Sequence, residues 1–308
     1  MQSETADRTT ICVIGAGLMG HGIAWLFAAN GYDVALHDPV PEALAAAPER
    51  LAAISSLLGK GEGAPARVRL CAELADAAAG AAFVFEAAPE KLPLKREIFA
   101  ALERHAPADA ILASNTSALP ISAICDGFET AHRMVGTHFW NPPHLVPLVE
   151  VIEVEGINGD AIGPTMAVLE AVGRHPVHVR KDVPGFIGNR LHHALKREAM
   201  ALIADGVCDA KTIDDVVKLG FGRRMSVLGP MEQCDLVGLE LTADIQATIA
   251  PALDNTAGIH PALQAHLDAG HLGMRSGQGF RHWGPGEADA VRERLSRFLA
   301  EQARESES

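Results

Sequence analysis

Three glycines near the start of the chain have the spacing of a turn that binds the phosphates of a dinucleotide. They follow the short apolar run Ile11-Cys12-Val13-Ile14 and precede an apolar segment of helical length, His21 to Ala29. In such a turn the first glycine permits a tight bend, the second leaves room for the pyrophosphate, and the third allows the helix to pack closely on the strand. The pyrophosphate would meet free backbone N–H groups at the positive end of the helix dipole. The predicted phosphate-binding residues are Gly15, Gly17, Leu18, Met19 and Gly20.

An acidic residue at the end of the second predicted strand, Tyr32 to His37, discriminates between dinucleotides. The carboxylate of Asp38 can accept hydrogen bonds from both hydroxyls of an adenosine ribose, and its charge would repel a 2′-phosphate. No arginine or lysine follows Asp38 before Arg50. The sequence therefore predicts NAD as the cofactor rather than NADP. FAD, which uses the same fingerprint, and a glycine turn selected only for packing are the alternatives for this segment.

A histidine and a glutamate lie on two consecutive predicted strands, Met134 to Phe139 and Leu148 to Glu153. His138 is at the C-terminal end of the first strand, the edge at which open α/β sheets bind ligands. If the two strands are adjacent, Glu150 would select the tautomer of the imidazole and stabilise its protonated form. Such a pair could remove the proton of an alcohol at neutral pH. On these residues alone, a purely structural histidine is the alternative.

Two polar residues elsewhere are further candidates for the site. Ser117 follows the predicted strand Ile111 to Ala113 within a polar turn, and Asn189 lies in a predicted helix, Phe186 to Ala204. Each also has a simple structural interpretation, as a turn hydroxyl and as a helix-surface amide.

Strands and helices alternate along the first part of the chain. Further predicted elements are the strand Ala81 to Ala87 and the helices Pro41 to Leu58 and Pro93 to about His105. This alternation predicts an α/β fold with a Rossmann-type, doubly wound parallel sheet. After Lys181-Asp182-Val183-Pro184-Gly185 the apolar periodicity becomes helical. We therefore predict a dinucleotide-binding domain over residues 1–183 and a smaller all-α domain over residues 184–308.

Composition excludes several classes of protein. The 308 residues carry a formal net charge of −13 and only 5% are aromatic, which argues against a nucleic-acid binder and against a protein of anionic membranes. The five cysteines form no CxxC pair and the histidines no HExxH motif, so neither a disulfide framework nor a metal site is expected. The polar N-terminus and the absence of a long apolar run predict a cytoplasmic protein.

The chain resembles the L-3-hydroxyacyl-CoA dehydrogenase family along nearly its whole length. The matching segments occur in order and are Val13-Ile14-Gly15-Ala16-Gly17-Leu18-Met19-Gly20, Ala113-Ser114-Asn115-Thr116-Ser117, Gly136-Thr137-His138-Phe139-Trp140-Asn141-Pro142, Leu148-Val149-Glu150-Val151, Lys181-Asp182-Val183-Pro184-Gly185-Phe186-Ile187-Gly188-Asn189-Arg190, Gly229-Pro230-Met231-Glu232, Asp235-Leu236-Val237-Gly238-Leu239 and Ser276-Gly277-Gln278-Gly279-Phe280.

This resemblance implies roles for the candidate residues. His138 matches the catalytic base and Glu150 its carboxylate partner, while Ser117 matches the serine that hydrogen-bonds the reacting oxygen. Asn189 matches the amide that contacts the substrate. The residues that match the nicotinamide end of the cofactor site are Glu90, Lys95 and Asn115.

The resemblance also implies a reaction and an assembly. His138 would remove the hydroxyl proton of an L-3-hydroxyacyl substrate while the carbon-bound hydrogen moves as hydride to NAD, which gives the 3-keto product. Because the smaller domain of the family forms a dimer, we expect a homodimer through the C-terminal domain. In members that act on CoA thioesters, this chemistry belongs to fatty acid metabolism.

Two segments depart from the members that act on CoA thioesters. Those members have a long, often lysine-rich helical hairpin after the second strand, whereas Pro41 to Ala81 is alanine-rich. Its basic residues are Arg50, Lys60, Arg67 and Arg69. Since the phosphates of CoA normally contact basic side chains, this segment is poorly suited to hold CoA.

The second departure is Gly220-Phe221-Gly222-Arg223-Arg224. It looks more like relatives that oxidise small free acids, such as L-gulonate 3-dehydrogenase (lambda-crystallin), carnitine dehydrogenase and pyridine-carboxylate dehydrogenases. Arg223 or Arg224 could bind a substrate carboxylate in bidentate fashion, or the two cations could simply balance a helix C-terminus. We expect an L-3-hydroxyacyl-CoA substrate, with a small free hydroxy acid as the alternative. A catalytically silent NAD-binding protein is the alternative from another class.

Overall fold

The computed structural model of the chain describes residues 10–305. The polar residues before Thr10, on which the expectation of a cytoplasmic protein partly depends, lie outside this range. Among the described residues, none of the helices combines the length and the apolar character that crossing a bilayer requires.

The chain divides into two compact units. One runs to Arg190 and also includes the chain from Ser296 onward, and the other is Leu191–Leu295. The predicted domain boundary at residue 183 therefore lies a few residues before the division after Arg190. The C-terminal helix, placed in the second domain by the sequence pattern, has its last residues in the first unit.

Within residues 10–305, the first unit contains one sheet of eight strands. The strands are β1 (Thr10–Ile14), β2 (Asp33–His37), β3 (Val68–Cys71), β4 (Phe83–Glu86), β5 (Ile111–Ser114), β6 (Met134–Phe139), β7 (Leu148–Ile152) and β8 (His175–Val179). Their order in the sheet is β3-β2-β1-β4-β5-β6-β7-β8. All neighbouring strands are parallel except β6 and β7, which are antiparallel.

Helices cover both faces of this sheet. The helices of the first unit are α1 (Leu18–Ala29), α2 (Pro41–Ala45), α3 (Ala47–Leu58), α4 (Leu74–Ala78), α5 (Leu92–His105), α6 (Ile121–Cys125) and α7 (Gly159–Ala171). Alternate residues of β1 belong to two different apolar clusters: Ile11 and Val13 pack with α1 and α3, whereas Cys12 and Ile14 pack with α4 and α5.

The second unit is helical among its described residues. Its helices are α8 (Gly188–Ala204), α9 (Ala210–Leu219), α10 (Pro230–Val237), α11 (Leu239–Ile249) and α12 (Pro261–Asp268), followed by α13 (Glu287–Glu305). The predicted α/β fold with a helical C-terminal part is confirmed.

Several local predictions need correction. The helix predicted over Pro41 to Leu58 is two helices, because Pro48 lies in the first turn of α3 and cannot continue α2. In the C-terminal part, where the sequence pattern predicts helices without a break, Pro230–Val237 and Leu239–Ile249 are separated at Gly238, whose φ is +100°. Strands β3 and β8 were not predicted, since both are edge strands with partly exposed residues and lack the continuous apolar signature of a buried strand.

The antiparallel pairing of β6 and β7 departs from the all-parallel sheet that the alternation of elements predicts. Residues 140–147, which join the two strands, are too few for the crossover helix that parallel strands require. The chain therefore returns directly beside β6. This reversal places the two predicted members of the proton-transfer pair opposite each other.

Candidate active site

The antiparallel register brings His138 and Glu150 together. The two residues are direct partners across β6 and β7, and Nδ1 of His138 lies 2.7 Å from Oε2 of Glu150. Both side chains are buried, at 4% and 1% exposure. Since a carboxylate only accepts hydrogen bonds, Nδ1 carries the proton and Nε2 remains free to take a proton from a substrate.

The other carboxylate oxygen of Glu150 is held by the main chain. Its Oε1 accepts the N–H groups of Ile187 and Gly188, at 2.8 and 3.0 Å, where α8 begins. Burial by itself raises the pKa of Glu150. The hydrogen bond from His138 and the two backbone N–H groups outweigh burial, so this pKa is lower than usual. Glu150 therefore stays ionised and can stabilise a protonated His138.

Ser117 lies in an exposed turn, and its backbone makes hydrogen bonds with two side chains. Its N–H donates to Oε1 of Glu90 at 2.9 Å, and its carbonyl accepts from Nδ2 of Asn189 at 2.9 Å. Two predicted site residues thus position a third. The amide of Asn189 contacts Ser117 here, and its implied contact with the substrate stays a prediction.

A buried ion pair, Lys95–Glu86, lies next to Glu90. Nζ of Lys95 lies 2.8 and 3.0 Å from the oxygens of Glu86 and 3.4 Å from Oε2 of Glu90. Lys95 and Glu86 are fully buried, and Ser114 donates to Glu86 at 2.6 Å. Lys95 is therefore enclosed by protein, and its charge acts on the site through Glu90.

The pKa of Glu90 reflects this setting. Burial raises the pKa of its carboxyl, but the hydroxyl of Thr116, the N–H groups of Ala118 and Ser117, and the charge of Lys95 together lower it below the usual range. The ionised carboxylate holds the 116–118 turn through three hydrogen bonds. Sequence reasoning missed Glu86, although an acidic residue at the end of an otherwise apolar strand is a detectable signal.

Asn115 directly follows β5 and bonds to the ends of the two parallel strands beside it. Its Oδ1 accepts the N–H of Phe139 at 2.9 Å, and its own N–H donates to the carbonyl of Glu86 at 2.7 Å. Asn115 therefore holds the C-terminal ends of β4, β5 and β6 side by side, at the edge where His138 lies.

The glycine turn has the close packing that its spacing predicts. Gly15 has φ +99°, and a Cβ on it would lie 2.8 Å from the carbonyl oxygen of Ala87. A Cβ on Gly20 would lie 1.6 Å from the carbonyl oxygen of Gly15, whereas nothing lies within 4 Å of the position a Cβ on Gly17 would take. The turn is therefore closed on the protein side and open at Gly17, as a bound pyrophosphate requires.

Asp38 lies directly against this turn. Its Oδ2 accepts the N–H of Ala16 at 2.7 Å and its Oδ1 accepts the N–H of Val40 at 2.9 Å. Beside it is a cavity of about 690 Å³, lined by the turn, by apolar side chains such as Val40 and Leu94, and by His37. An apolar cleft with a carboxylate at its edge fits the adenosine of NAD.

Sequence reasoning did not place Arg50 at the cofactor site. The structure brings its Nη1 to 2.9 Å from the carbonyl oxygen of Ala16, so a guanidinium lies at the glycine turn. The signal was not available in the sequence, because Arg50 reaches the turn through the packing of α3 on α1.

Arg223 and Arg224 belong to the second unit. They are exposed residues at a short helical turn that follows α9. Their predicted contact with a substrate carboxylate stays a prediction.

Two family profiles cover most of the chain. Residues 10–183 match "3-hydroxyacyl-CoA dehydrogenase, NAD binding domain", and residues 185–283 match "3-hydroxyacyl-CoA dehydrogenase, C-terminal domain". The chain belongs to the 3-hydroxyacyl-CoA dehydrogenase family. The predicted resemblance is therefore confirmed, and so is NAD as the cofactor. As a member of this family, the chain is an NAD-dependent oxidoreductase, and its relatives act on CH–OH donors.

The similar proteins within the 3-hydroxyacyl-CoA dehydrogenase family act on different substrates. The chain is 33% identical to 5-formyl-3-hydroxy-2-methylpyridine 4-carboxylate 5-dehydrogenase of Mesorhizobium japonicum, over 94% of this chain and 95% of that protein. It is 38% identical to L-carnitine dehydrogenase of Pseudomonas aeruginosa, over 77% and 75%. It is 35% identical to a probable 3-hydroxybutyryl-CoA dehydrogenase of Bacillus subtilis, over 88% and 96%.

The similar solved structures are likewise of enzymes named for different substrates. The structure of 5-formyl-3-hydroxy-2-methylpyridine 4-carboxylic acid 5-dehydrogenase, described as an NAD⁺-dependent dismutase, matches with a TM-score of 0.90 at 32% identity, over 97% of this chain and 98% of that one. The 3-hydroxybutyryl-CoA dehydrogenase of Escherichia coli matches with a TM-score of 0.74 at 28% identity, over 90% and 60%.

Proposed function

We propose that this dehydrogenase oxidises the hydroxyl group of a small free hydroxy acid, with His138 as the base. The observation that carries the proposal is the full-length similarity to the pyridine-carboxylate dehydrogenase, at a TM-score of 0.90. Similarity to L-carnitine dehydrogenase also supports it. The proposed substrate is thus the free hydroxy acid that the segment Gly220 to Arg224 suggested as the alternative. It is not the CoA thioester that we expected from the resemblance.

The described geometry supports a specific division of labour. Nε2 of His138 accepts the hydroxyl proton, and Glu150 stabilises the imidazolium that forms. The chemistry that bound NAD would supply is acceptance of the carbon-bound hydrogen as hydride, which would leave the alcohol carbon as a carbonyl. Ser117 donates to the reacting oxygen from a turn that Glu90 and Asn189 hold.

The cofactor contacts proposed in this chain all come from the first unit. Backbone N–H groups of the glycine turn, including those of Leu18 and Met19 at the start of α1, would bind the pyrophosphate. Asp38 would accept from the ribose hydroxyls, and Glu90 and Asn115 would border the nicotinamide. Lys95 would contribute its charge through Glu90.

We propose that Arg223 or Arg224 binds the carboxylate of the free acid. The guanidinium group binds carboxylates in bidentate fashion, and both side chains are exposed. The segment after β2 supports a substrate without CoA, because α2 and α3 together carry one basic residue, Arg50, and Arg50 donates to Ala16.

A second candidate is an L-3-hydroxyacyl-CoA substrate. Similarity to the probable 3-hydroxybutyryl-CoA dehydrogenase of Bacillus subtilis, over 96% of that protein, favours it. The chemistry would be the same, and only the group that carries the 3-hydroxyl would differ.

A substrate panel with NAD tests both candidates. The absorbance of NADH is followed with L-3-hydroxybutyryl-CoA, free L-3-hydroxybutyrate, L-gulonate, L-carnitine and a hydroxymethyl pyridine carboxylate. We expect turnover of at least one free acid, and a loss of that turnover in Arg223→Gln or Arg224→Gln through a higher KM. Turnover of the thioester alone would reject the free-acid proposal, and equal rates for wild type and His138→Ala would reject His138 as the base.

We also propose that the enzyme is a homodimer through the second unit. Large apolar side chains on α9, α10 and α11 are exposed, among them Leu219 at 71%, Met231 at 70% and Leu236 at 74%. Exposed apolar patches of this kind commonly mark protein–protein interfaces. Sedimentation equilibrium should give twice the chain mass of 32.5 kDa, and Leu236→Glu should give the monomer.

A further inference from the structure

One buried residue beside the candidate active site has a backbone conformation that L side chains rarely adopt. Phe186 has φ +50° and is the only non-glycine residue with positive φ among residues 10–305. Its side chain is fully buried. A large side chain in the left-handed region is strained and persists only where surrounding contacts compensate. The contacts of this segment therefore indicate what the conformation achieves.

The backbone after Phe186 is directed at a single carboxylate oxygen. The consecutive N–H groups of Ile187 and Gly188 both donate to Oε1 of Glu150. Consecutive N–H groups converge on one anion where the chain turns through left-handed residues. Gly185, with φ +75°, and Phe186 are two such residues in succession. The left-handed turn therefore aims the two amides at Glu150.

The ring of Phe186 contacts the other member of the pair. Its centroid lies 5.7 Å from that of the His138 imidazole, with the planes tilted by 52°. The indole of Trp140 also lies against His138, at 5.4 Å and 51°. Gly188 allows this arrangement, because a Cβ on it would lie 2.3 Å from the Trp140 ring. Rings packed against the imidazole, the fully buried one of Phe186 and the partly buried one of Trp140, restrict its rotation.

We propose that Phe186 is a positioning residue for the reaction, acting on both members of the His138–Glu150 pair. Its left-handed backbone sets two amides on Glu150, and its ring holds the plane of His138, so that Nδ1 stays on the carboxylate and Nε2 faces the substrate side. The inference rests on the proposed catalytic role of His138 and Glu150. Phe186 itself need not touch substrate or cofactor.

A matched pair of variants separates the backbone effect from the ring effect. Phe186→Gly and Phe186→Ala both remove the ring, but only glycine adopts positive φ without strain. Because a misplacement of about 1 Å can cost roughly 100-fold in rate, we expect kcat to fall by about 10- to 100-fold in both variants, and further in Phe186→Ala. The KM for NAD should stay within about twofold, because the glycine turn and Asp38 are untouched.

Phe99 provides the control for lost packing. It is 1% exposed on α5 and belongs to the same apolar cluster as Phe186, but it has ordinary helical geometry and no ring contact with His138. Phe99→Ala should lower the Tm about as much as Phe186→Ala and leave kcat nearly unchanged. If the truncated proteins do not fold, Phe186→Leu and Phe99→Leu, which keep most of the volume, give the same comparison.

A proton NMR signature completes the test. The Nδ1–H of a histidine bonded to a buried carboxylate resonates downfield of the amide envelope, and His138→Ala assigns this signal by removing it. We expect the signal to shift or broaden in the Phe186 variants and to persist in the Phe99 variants. A kcat equal to that of the wild type, together with an unchanged Nδ1–H signal, in the Phe186 variants would overturn the positioning role. Full activity of His138→Ala would instead overturn the proposed function on which it rests.

Discussion

Replacing Glu150 by glutamine is the sharpest single perturbation of the site. Glu150 accepts three hydrogen bonds, one from His138 and two from the amides of Ile187 and Gly188. A glutamine can keep the two backbone bonds only by directing its oxygen at them. Its NH₂ group then faces Nδ1 of His138, which must become the acceptor. The proton moves to Nε2, the nitrogen that has to accept the substrate proton.

The expected size of the effect follows from this change of tautomer. Loss of a correctly oriented general base, together with loss of the negative charge that stabilises the imidazolium, corresponds to about a 10²- to 10⁴-fold fall in kcat. The KM for NAD should change little, because Glu150 belongs to the proton-transfer pair and the cofactor contacts lie elsewhere. Stopped-flow measurement of NADH formation with the substrate found in the panel gives both parameters.

A second histidine–glutamate pair supplies the control. Oε2 of Glu153 lies 2.7 Å from Nε2 of His178, and both side chains are partly exposed. Glu153→Gln makes the same chemical change on the neighbouring part of the sheet, and kcat should stay within about twofold of wild type. A Glu150→Gln enzyme that keeps more than about a tenth of wild-type kcat would refute the assigned orientation of His138.

Three further predictions concern the cofactor turn and the buried ion pair. Asp38→Ala should weaken NAD binding and reduce discrimination against NADP, which titration of protein fluorescence with each dinucleotide measures; unchanged relative affinities would remove Asp38 from the ribose site. Gly17→Ala should fold normally, since an added Cβ has nothing within 4 Å. It should nevertheless raise the Kd for NAD by about tenfold or more, equivalent to about 1.4 kcal/mol, because the Cβ would take the space left for the pyrophosphate. Gly20→Ala should instead be strongly destabilised, because its Cβ would overlap the carbonyl oxygen of Gly15. Lys95→Met should lower the free energy of unfolding by about 3–5 kcal/mol, because it leaves the buried charge of Glu86 without its cation; denaturant titration measures this, and the double variant with Glu86→Gln should recover part of the loss.

The cofactor turn shows how far local sequence can lead. Its glycines, the preceding β-branched strand and Asp38 lie within one short stretch of chain, and each has a role that follows from the shape of a strand–turn–helix unit. The prediction of NAD needed no knowledge of distant packing. The position of Arg50 at the same turn did require it, because two helices must pack together before its guanidinium reaches Ala16.

The proton-transfer pair was predicted in part from local sequence and in part required the tertiary structure. The types of His138 and Glu150 and their places on consecutive strands suggested the chemistry, on the condition that the strands are neighbours. The short connection makes those strands antiparallel, and the register then places the two side chains opposite each other.

By itself, the sequence determined the alternation of strands and helices in the first part of the chain, the dinucleotide turn and the family, because these depend on contiguous residues and on local periodicity. Tertiary structure alone decided which polar groups meet inside the protein. Lys95 is enclosed between Glu86 and Glu90, and Phe186 takes a strained conformation that directs amides at Glu150. The amides that bind Glu150 come from a segment distant along the chain. Lys95 is close in sequence to both carboxylates, but these groups meet only where α5 packs beside the end of β4. Burial strengthens both sets of contacts, and no local pattern records them.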